Sequence, residues 1–119
     1  MKKQIAILYR LPHLTVEEFK EFYETRHVPF IIGLVPGLVR YVRNYPKDGE
    51  NAPWDAMTEV WIDDSDATSA SSKTETMKEL ERQAQKEAVK FLDLARAQFI
   101  DVDESVTPNH LLRPSLQSA

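Results

Sequence analysis

The chain contains no cysteine, which removes disulfides, thiolate nucleophiles and cysteine-based zinc or iron–sulfur sites together. It has no cluster of Lys and Arg beyond isolated pairs such as Lys2-Lys3, and its formal net charge is -4 with a pI near 5.4. The electrostatic footprint of a nucleic-acid binder is therefore missing. The apolar run between Met1 and Leu11 is interrupted by Gln4 and Arg10, too short for a signal-peptide core, so a cytoplasmic protein without membrane association is expected. There is no Gly-rich phosphate loop, no Gly-x-Ser-x-Gly elbow and no dinucleotide fingerprint, and no cofactor is expected. His13, His27 and His110 stand far apart, without His-x-x-x-His or Glu-x-x-His spacing, which argues against a metal site. The acidic run Asp63-Asp64-Ser65-Asp66 lacks the glycine and terminal glutamate of a calcium loop and is read as a solvated cap on the following helix.

What remains is an ordinary globular composition. With 119 residues, 42% hydrophobic and 29% charged, the chain can bury one core but not two. One domain over 1–106 is expected, followed by a polar, proline-interrupted tail over 107–119 for which a partner subunit is one possible contact.

Gln4 to Arg10 alternates, with Ile5, Ile7 and Tyr9 on one side, and predicts a first strand. Thr15-Val16-Glu17-Glu18 is a capping box, so a helix begins there. Its apolar stripe runs through Val16, Phe19, Phe22, Tyr23, Phe30 and Ile31, with His27 filling the gap. Pro29 removes a backbone donor and disfavours helix at Val28, which predicts an end or a kink at that point. Leu38 to Tyr45 alternates as a second strand, with Tyr41 and Arg43 on one face and Arg40 on the other. Ala56 to Ile62 is a third strand that places Glu59 and Trp61 together. Met77, Leu80, Ala84, Ala88, Phe91 and Ala95 step as one long helix or two short ones in series, and Phe99 to Val106 is a last strand. The order β-α-β-β-α-β is the split pattern of an α+β, ferredoxin-like fold with a four-stranded antiparallel sheet. One sheet face is left bare, with Tyr9, Tyr41, Arg43, Trp61 and Phe99 divided between the two, and sheet-to-sheet homodimerisation would cover it.

The run from Arg10 to Phe19, followed by Phe22-Tyr23-Glu24-Thr25-Arg26-His27-Val28-Pro29-Phe30, resembles the EthD family in its aromatic pair and His-x-Pro. Leu34 to Tyr41 resembles that family's Pro-Gly entry into strand two, Asp55 to Asp63 its third strand, and Phe91, Asp93 and Phe99-Ile100-Asp101 the entry to the last. The likeness spans roughly residues 4 to 105. It implies a dimeric α+β barrel with a pocket between sheet and helices in each half, and cofactor-free chemistry of the kind done by aromatic polyketide decarboxylases and lactone isomerases. Glu24-Thr25 and Val28 depart from the common pattern, which implies a narrower or differently shaped pocket.

His27 lies four residues after Tyr23 and three before Phe30, so helix geometry turns its imidazole toward the sheet. Its ordinary pKa suits proton transfer near neutrality, and it is the candidate catalytic acid or base; a buried histidine satisfied by backbone is the structural alternative. Tyr9, Tyr23, Arg40, Tyr41, Glu59 and Trp61 are the candidate substrate-binding residues. The tyrosines are read as oxygen donors, an arginine as an anion stabiliser, and Glu59 as a partner that orients His27. Arg40 and Arg43 face opposite ways, so only one can enter a given cavity. The leading expectation is a cofactor-independent lyase or isomerase acting on a small aromatic or polyketide-like acid or lactone. The rivals are a cofactor-free monooxygenase of an electron-rich aromatic, which alone would consume oxygen, and a non-catalytic small-molecule-binding protein.

Overall fold

The computed structural model describes residues 1–63 and 70–114, with backbone alone for 70–74. Strand β1 (Lys2–Leu8) is followed by helix α1 (Val16–Phe22), a π-helical turn (Tyr23–His27) and helix α2 (Val28–Leu34). Then come β2 (Leu38–Asn44), β3 (Ala56–Ile62), helix α3 (Ala70–Ala88) and β4 (Gln98–Val102). The strands form one antiparallel sheet in the order β2-β3-β1-β4, the ferredoxin-like arrangement that the element order predicts.

The first strand starts and stops two residues earlier than the alternation of Gln4 to Arg10 predicts. It starts earlier because Lys2 and Lys3 pair with Ile62 and Trp61, and at its end the Arg10 backbone N–H and guanidinium both reach the Asp55 carboxylate, at 2.9 and 2.6 Å, while Nε donates to the carbonyl of Leu14 at 2.9 Å. These bonds pull the chain out of the ladder and set the loop into α1. There the capping box forms as expected, with Thr15 Oγ1 accepting from the Glu18 amide and the Glu18 carboxylate accepting from the Thr15 amide. Those two bonds hold the Glu18 carboxyl below its ordinary pKa.

Pro29 does not end the helix. Helical backbone continues to Leu34, and the adjustment is the five-residue π-turn just before it, where the Val28 N–H reaches the Tyr23 carbonyl. A proline withholds one N–H and crowds the carbonyl four residues back, and the wider π-turn relieves that crowding. The Thr25 hydroxyl also donates to the Glu21 carbonyl at 2.7 Å, a back-bond that bends helices. The turn leaves Tyr23 and His27 both facing inward, 2% and 7% exposed.

Directly opposed residues share a sheet face, so the register assigns the faces. Ala6 opposes Thr58 and Phe99, Leu8 opposes Ala56, and Thr58 opposes Arg43; this face meets the helices. Lys3, Ile5 and Ile7 lie on the other face with Met57, Glu59 and Trp61. Small side chains at Ala6, Ala56 and Thr58 leave room for the rings of Phe19, Tyr23 and Phe91, the largest fully buried side chains described. Phe91 stacks on Phe22 with centroids 5.0 Å apart and sits 5.5, 5.3 and 4.9 Å from Phe19, Tyr23 and His27.

Helix α3 is one helix that ends at Ala88, so Phe91 and Ala95 belong to the turns after it, not to its stripe. It is buried at its C-terminal end, whereas Met77 is 49% exposed and Phe99, on the helix-facing side of β4, is 56% exposed. The last strand ends at Val102 instead of Val106. Its continuation folds back, with the Glu104 carboxylate taking Lys3 Nζ at 2.6 Å and Trp61 Nε1 at 3.1 Å. The Asp64-Ser65-Asp66 part of the acidic run lies outside the described residues. Among the described residues no helix is long and apolar enough to cross a membrane.

Gly37 has φ +77°, and a Cβ there would stand 2.6 Å from the Asp63 carbonyl oxygen; across the same contact the Asp63 N–H donates to the Gly37 carbonyl at 2.7 Å. Gly37→Ala is therefore expected to cost about 2 kcal/mol, from left-handed backbone plus the forced shift of the β2–β3 end. A urea midpoint equal to that of the unaltered protein would contradict this.

Candidate active site

His27 is held by rings, and its Nδ1 is buried with no hydrogen-bond partner among the described residues. Tyr23 meets it edge-on with centroids 5.5 Å apart, Phe91 at 4.9 Å and Phe30 at 6.4 Å. Burial in this apolar surround pushes its pKa down from 6.5 to about 4, and the Glu87 carboxylate on α3 opposes the shift weakly. The sequence pointed to a group titrating near neutrality; the structure corrects this to an imidazole that is uncharged at neutral pH. The alternative of backbone-satisfied nitrogens is not what the geometry shows at Nδ1.

Beside His27 runs a line of hydroxyls. Tyr23 OH and Thr58 Oγ1 are 2.7 Å apart, and Tyr41 OH donates to Tyr23 OH at 3.3 Å. Desolvation raises the pKa of both tyrosines, which keeps them protonated as donors. Arg43 caps this line: its plane lies 4.7 Å over the Tyr41 ring and Nη1 donates to the Tyr41 carbonyl at 3.1 Å. The same guanidinium grips Glu24 through two bonds of 2.9 Å, and Tyr45 OH also donates to Glu24. The Arg43 pairing holds the Glu24 carboxyl below its ordinary pKa.

The remaining sequence candidates divide by sheet face. Tyr23 and Tyr41 stand with His27. Glu59 does not: it accepts from Lys3 at 3.1 Å and from Asn44 at 3.0 Å on the opposite face, so it cannot orient the imidazole. Trp61 and Arg40 are there too, the guanidinium 4.7 Å over the indole and Lys3 Nζ 4.3 Å over it. Strand two alternates, so placing Tyr41 and Arg43 inward puts Arg40 outward. Tyr9 packs its ring under Arg96 at 4.1 Å, in the turn before β4 and apart from the His27 rings. Glu59, Trp61, Arg40 and Tyr9 therefore do not line a cavity with His27.

Sequence reasoning missed Thr58, Glu24 and Glu87 as neighbours of the site. A signal existed for Thr58, since it is the polar member of the strand-three face that carries Ala56 and Val60. For Glu87, on the long helix, no local signal exists. Two open clefts among the described residues lie elsewhere. One of about 430 Å³ is lined by Met1, Lys2, Lys3, Asp101, Val102 and Asp103, and one of about 270 Å³ lies along the outer side of α1 near Phe22 and Arg26. Among the described residues no group of His, Asp and Glu side chains is placed to hold a metal ion.

An ethyl tert-butyl ether D (EthD) family protein from Bacillus halodurans superposes with a TM-score of 0.61 at 20% identity, covering 88% of this chain and 100% of that one. At3g17210 from Arabidopsis thaliana gives a TM-score of 0.60 at 12% identity, with 91% and 99% covered. HapK from Hahella chejuensis gives 0.57 at 13% identity, with 91% and 98% covered. At these identities the likeness is one of fold. No curated protein sequence matches the chain. The EthD domain family model matches residues 11–95, a span that holds α1, the π-turn with His27, and Tyr41, Arg43 and Thr58, and the chain belongs to the EthD family.

Proposed function

We propose that the protein is a cofactor-independent enzyme, of lyase or isomerase type, in which neutral His27 removes a proton from a carbon acid of aromatic or polyketide-like character. The observation that carries this is the buried, unpartnered Nδ1 of His27. A nitrogen with no partner in an apolar surround costs roughly 1–3 kcal/mol, and a ligand proton would offset that cost. An imidazole with a pKa of about 4 is by itself a weak base. Negative charge developing on a bound substrate would raise its basicity as the proton moves. The proton can then return to a second carbon, which is isomerisation; in decarboxylation the imidazole takes the carboxyl proton instead, the bond pair left by the departing carbon dioxide forms the enolate, and that proton returns to its carbon. Entry of a ligand requires the rings of Tyr23, Phe30 and Phe91 to part.

The test is solvent-deuterium exchange and product formation with a panel of β-keto acids and unsaturated lactones. His27→Ala is expected to abolish both, and His27→Gln to do the same with less disturbance of packing, while far-UV circular dichroism remains that of the unaltered protein. Full activity in either variant would sink the assignment. Tight binding of panel members without exchange or product, unchanged by His27→Ala, would instead mark a non-catalytic binding protein.

A further inference from the structure

The hydroxyl line beside His27 does not balance. Thr58, Tyr23 and Tyr41 bring one O–H proton each, yet only two hydrogen bonds join them. If Tyr23 donates to Thr58, the Thr58 proton has no acceptor among the described residues; if Thr58 donates to Tyr23, the Tyr23 proton has none. In either arrangement one donor is left over. Thr58 is 4% exposed and Tyr23 2%, so water is largely kept from it. A buried donor without an acceptor is disfavoured, and here it lies on the same face of the sheet as the unpartnered nitrogen of His27.

We propose that these three hydroxyls are the oxygen-binding half of the His27 site, taking an uncharged carbonyl or phenol oxygen of the substrate and holding it as negative charge develops there. The proposal deepens the His27 reading and rests on it for the reaction. As the C–H bond next to the carbonyl breaks, its proton passes to the imidazole and its electron pair forms the C=C bond of an enolate. The carbonyl π pair moves onto oxygen, where the Tyr41 O–H meets it, the line having turned on binding so that Thr58 donates to Tyr23 and Tyr23 to Tyr41. Donors fixed before the charge forms need no reorganisation when it does.

The choice of an uncharged oxygen follows from the charges at the end of the line. Arg43 adjoins Tyr41 but is held by both oxygens of Glu24, which Tyr45 also contacts. A substrate carboxylate would have to displace Glu24 from a two-point bond to gain that cation. A ketone, lactone or phenol oxygen meets no such competitor. Tyr41, half-buried, is the outer member of the line and the side from which an oxygen would be received.

The experiment uses the full chain with 2-naphthol and 2-naphthoate as probes, read by fluorescence against pH. Bound 2-naphthol is expected to ionise at lower pH than free naphthol, and naphthoate to bind more weakly. Tyr41→Phe and Thr58→Val are each expected to weaken naphtholate binding roughly tenfold or more, the size of one lost bond to a charged oxygen, whereas Thr58→Ser restores it. Equal binding by the unaltered protein, Tyr41→Phe and Thr58→Val, or no naphthol binding by the folded protein, would overturn the proposal. Because Tyr41 is half-buried, its variant gives the answer even if Thr58→Val fails to fold. The two readings fail separately: loss of naphtholate binding in these variants with full turnover in His27→Ala would remove the base and keep the oxygen site, and the converse pair would do the opposite.

Discussion

Phe91→Ala is expected to destabilise the protein by about 3–5 kcal/mol, the usual cost of removing a fully buried phenyl ring. Phe91 is 0% exposed and is the ring that Phe19, Phe22, Tyr23 and His27 share. Its carbonyl also accepts the Leu11 amide at 3.1 Å, so the turn after α3 is tied to the loop between β1 and α1. The void cannot close easily, because its walls belong to α1, the π-turn and this turn, three segments fixed by different bonds. Against a typical stability of 5–15 kcal/mol for a domain, such a loss brings the variant close to unfolding at ambient temperature. Urea denaturation followed by tyrosine and tryptophan fluorescence measures it, with Phe91→Leu as the milder control. A loss under about 1 kcal/mol would mean that the shared ring does not organise this core.

Stability is also expected to fall steeply with acid between about pH 6.5 and 4, and His27 is the reason. Its folded pKa, about 4, lies below the unfolded 6.5, so in that window the unfolded chain binds the extra proton. The stabilising contribution is fully present above pH 6.5 and is lost as pH falls toward 4. A shift of this size corresponds to at most ~3 kcal/mol. The charged group that bears on the imidazole is Glu87 from α3, and its weak opposing effect leaves the sign unchanged. The lowered carboxyls of Glu24 and Glu59 contribute in the same direction at more acid pH, where they protonate. Comparison of urea midpoints at pH 7 and pH 5 for the unaltered protein and His27→Gln isolates the histidine: the variant is expected to show the smaller drop. Equal drops would mean that His27 is not desolvated in solution.

How much of this was legible in the sequence varies by element. The third strand was predicted to the residue because Ala56 to Ile62 alternates cleanly. The capping box fixed the start of α1 for the same local reason. The first and last strands were misjudged at their ends by Arg10 and Glu104, whose partners Asp55 and Lys3 lie far off in the chain. The π-turn was not foreseen, although its cause, Pro29, was. Proline states that a donor is missing, but whether the helix stops, kinks or widens depends on what its next turn can bury, and here that is Val28.

The site divides in the same way. The inward direction of His27 follows from the spacing of Phe19, Tyr23 and Phe30, and the family from the order of motifs around it; both are local or sequential properties, and the sequence determined them. A strand pattern of period two defines two faces without saying which one meets the helices. Only the sheet register and the packing of Tyr23 on Thr58 and Tyr41 decided that Arg43 looks toward the helices while Arg40, Glu59 and Trp61 look away. The lowered pKa of His27 and the spare hydroxyl proton are likewise tertiary, because desolvation and hydrogen-bond counting depend on every neighbour at once, and those neighbours come from α1, the π-turn, β2, β3 and the turn after α3.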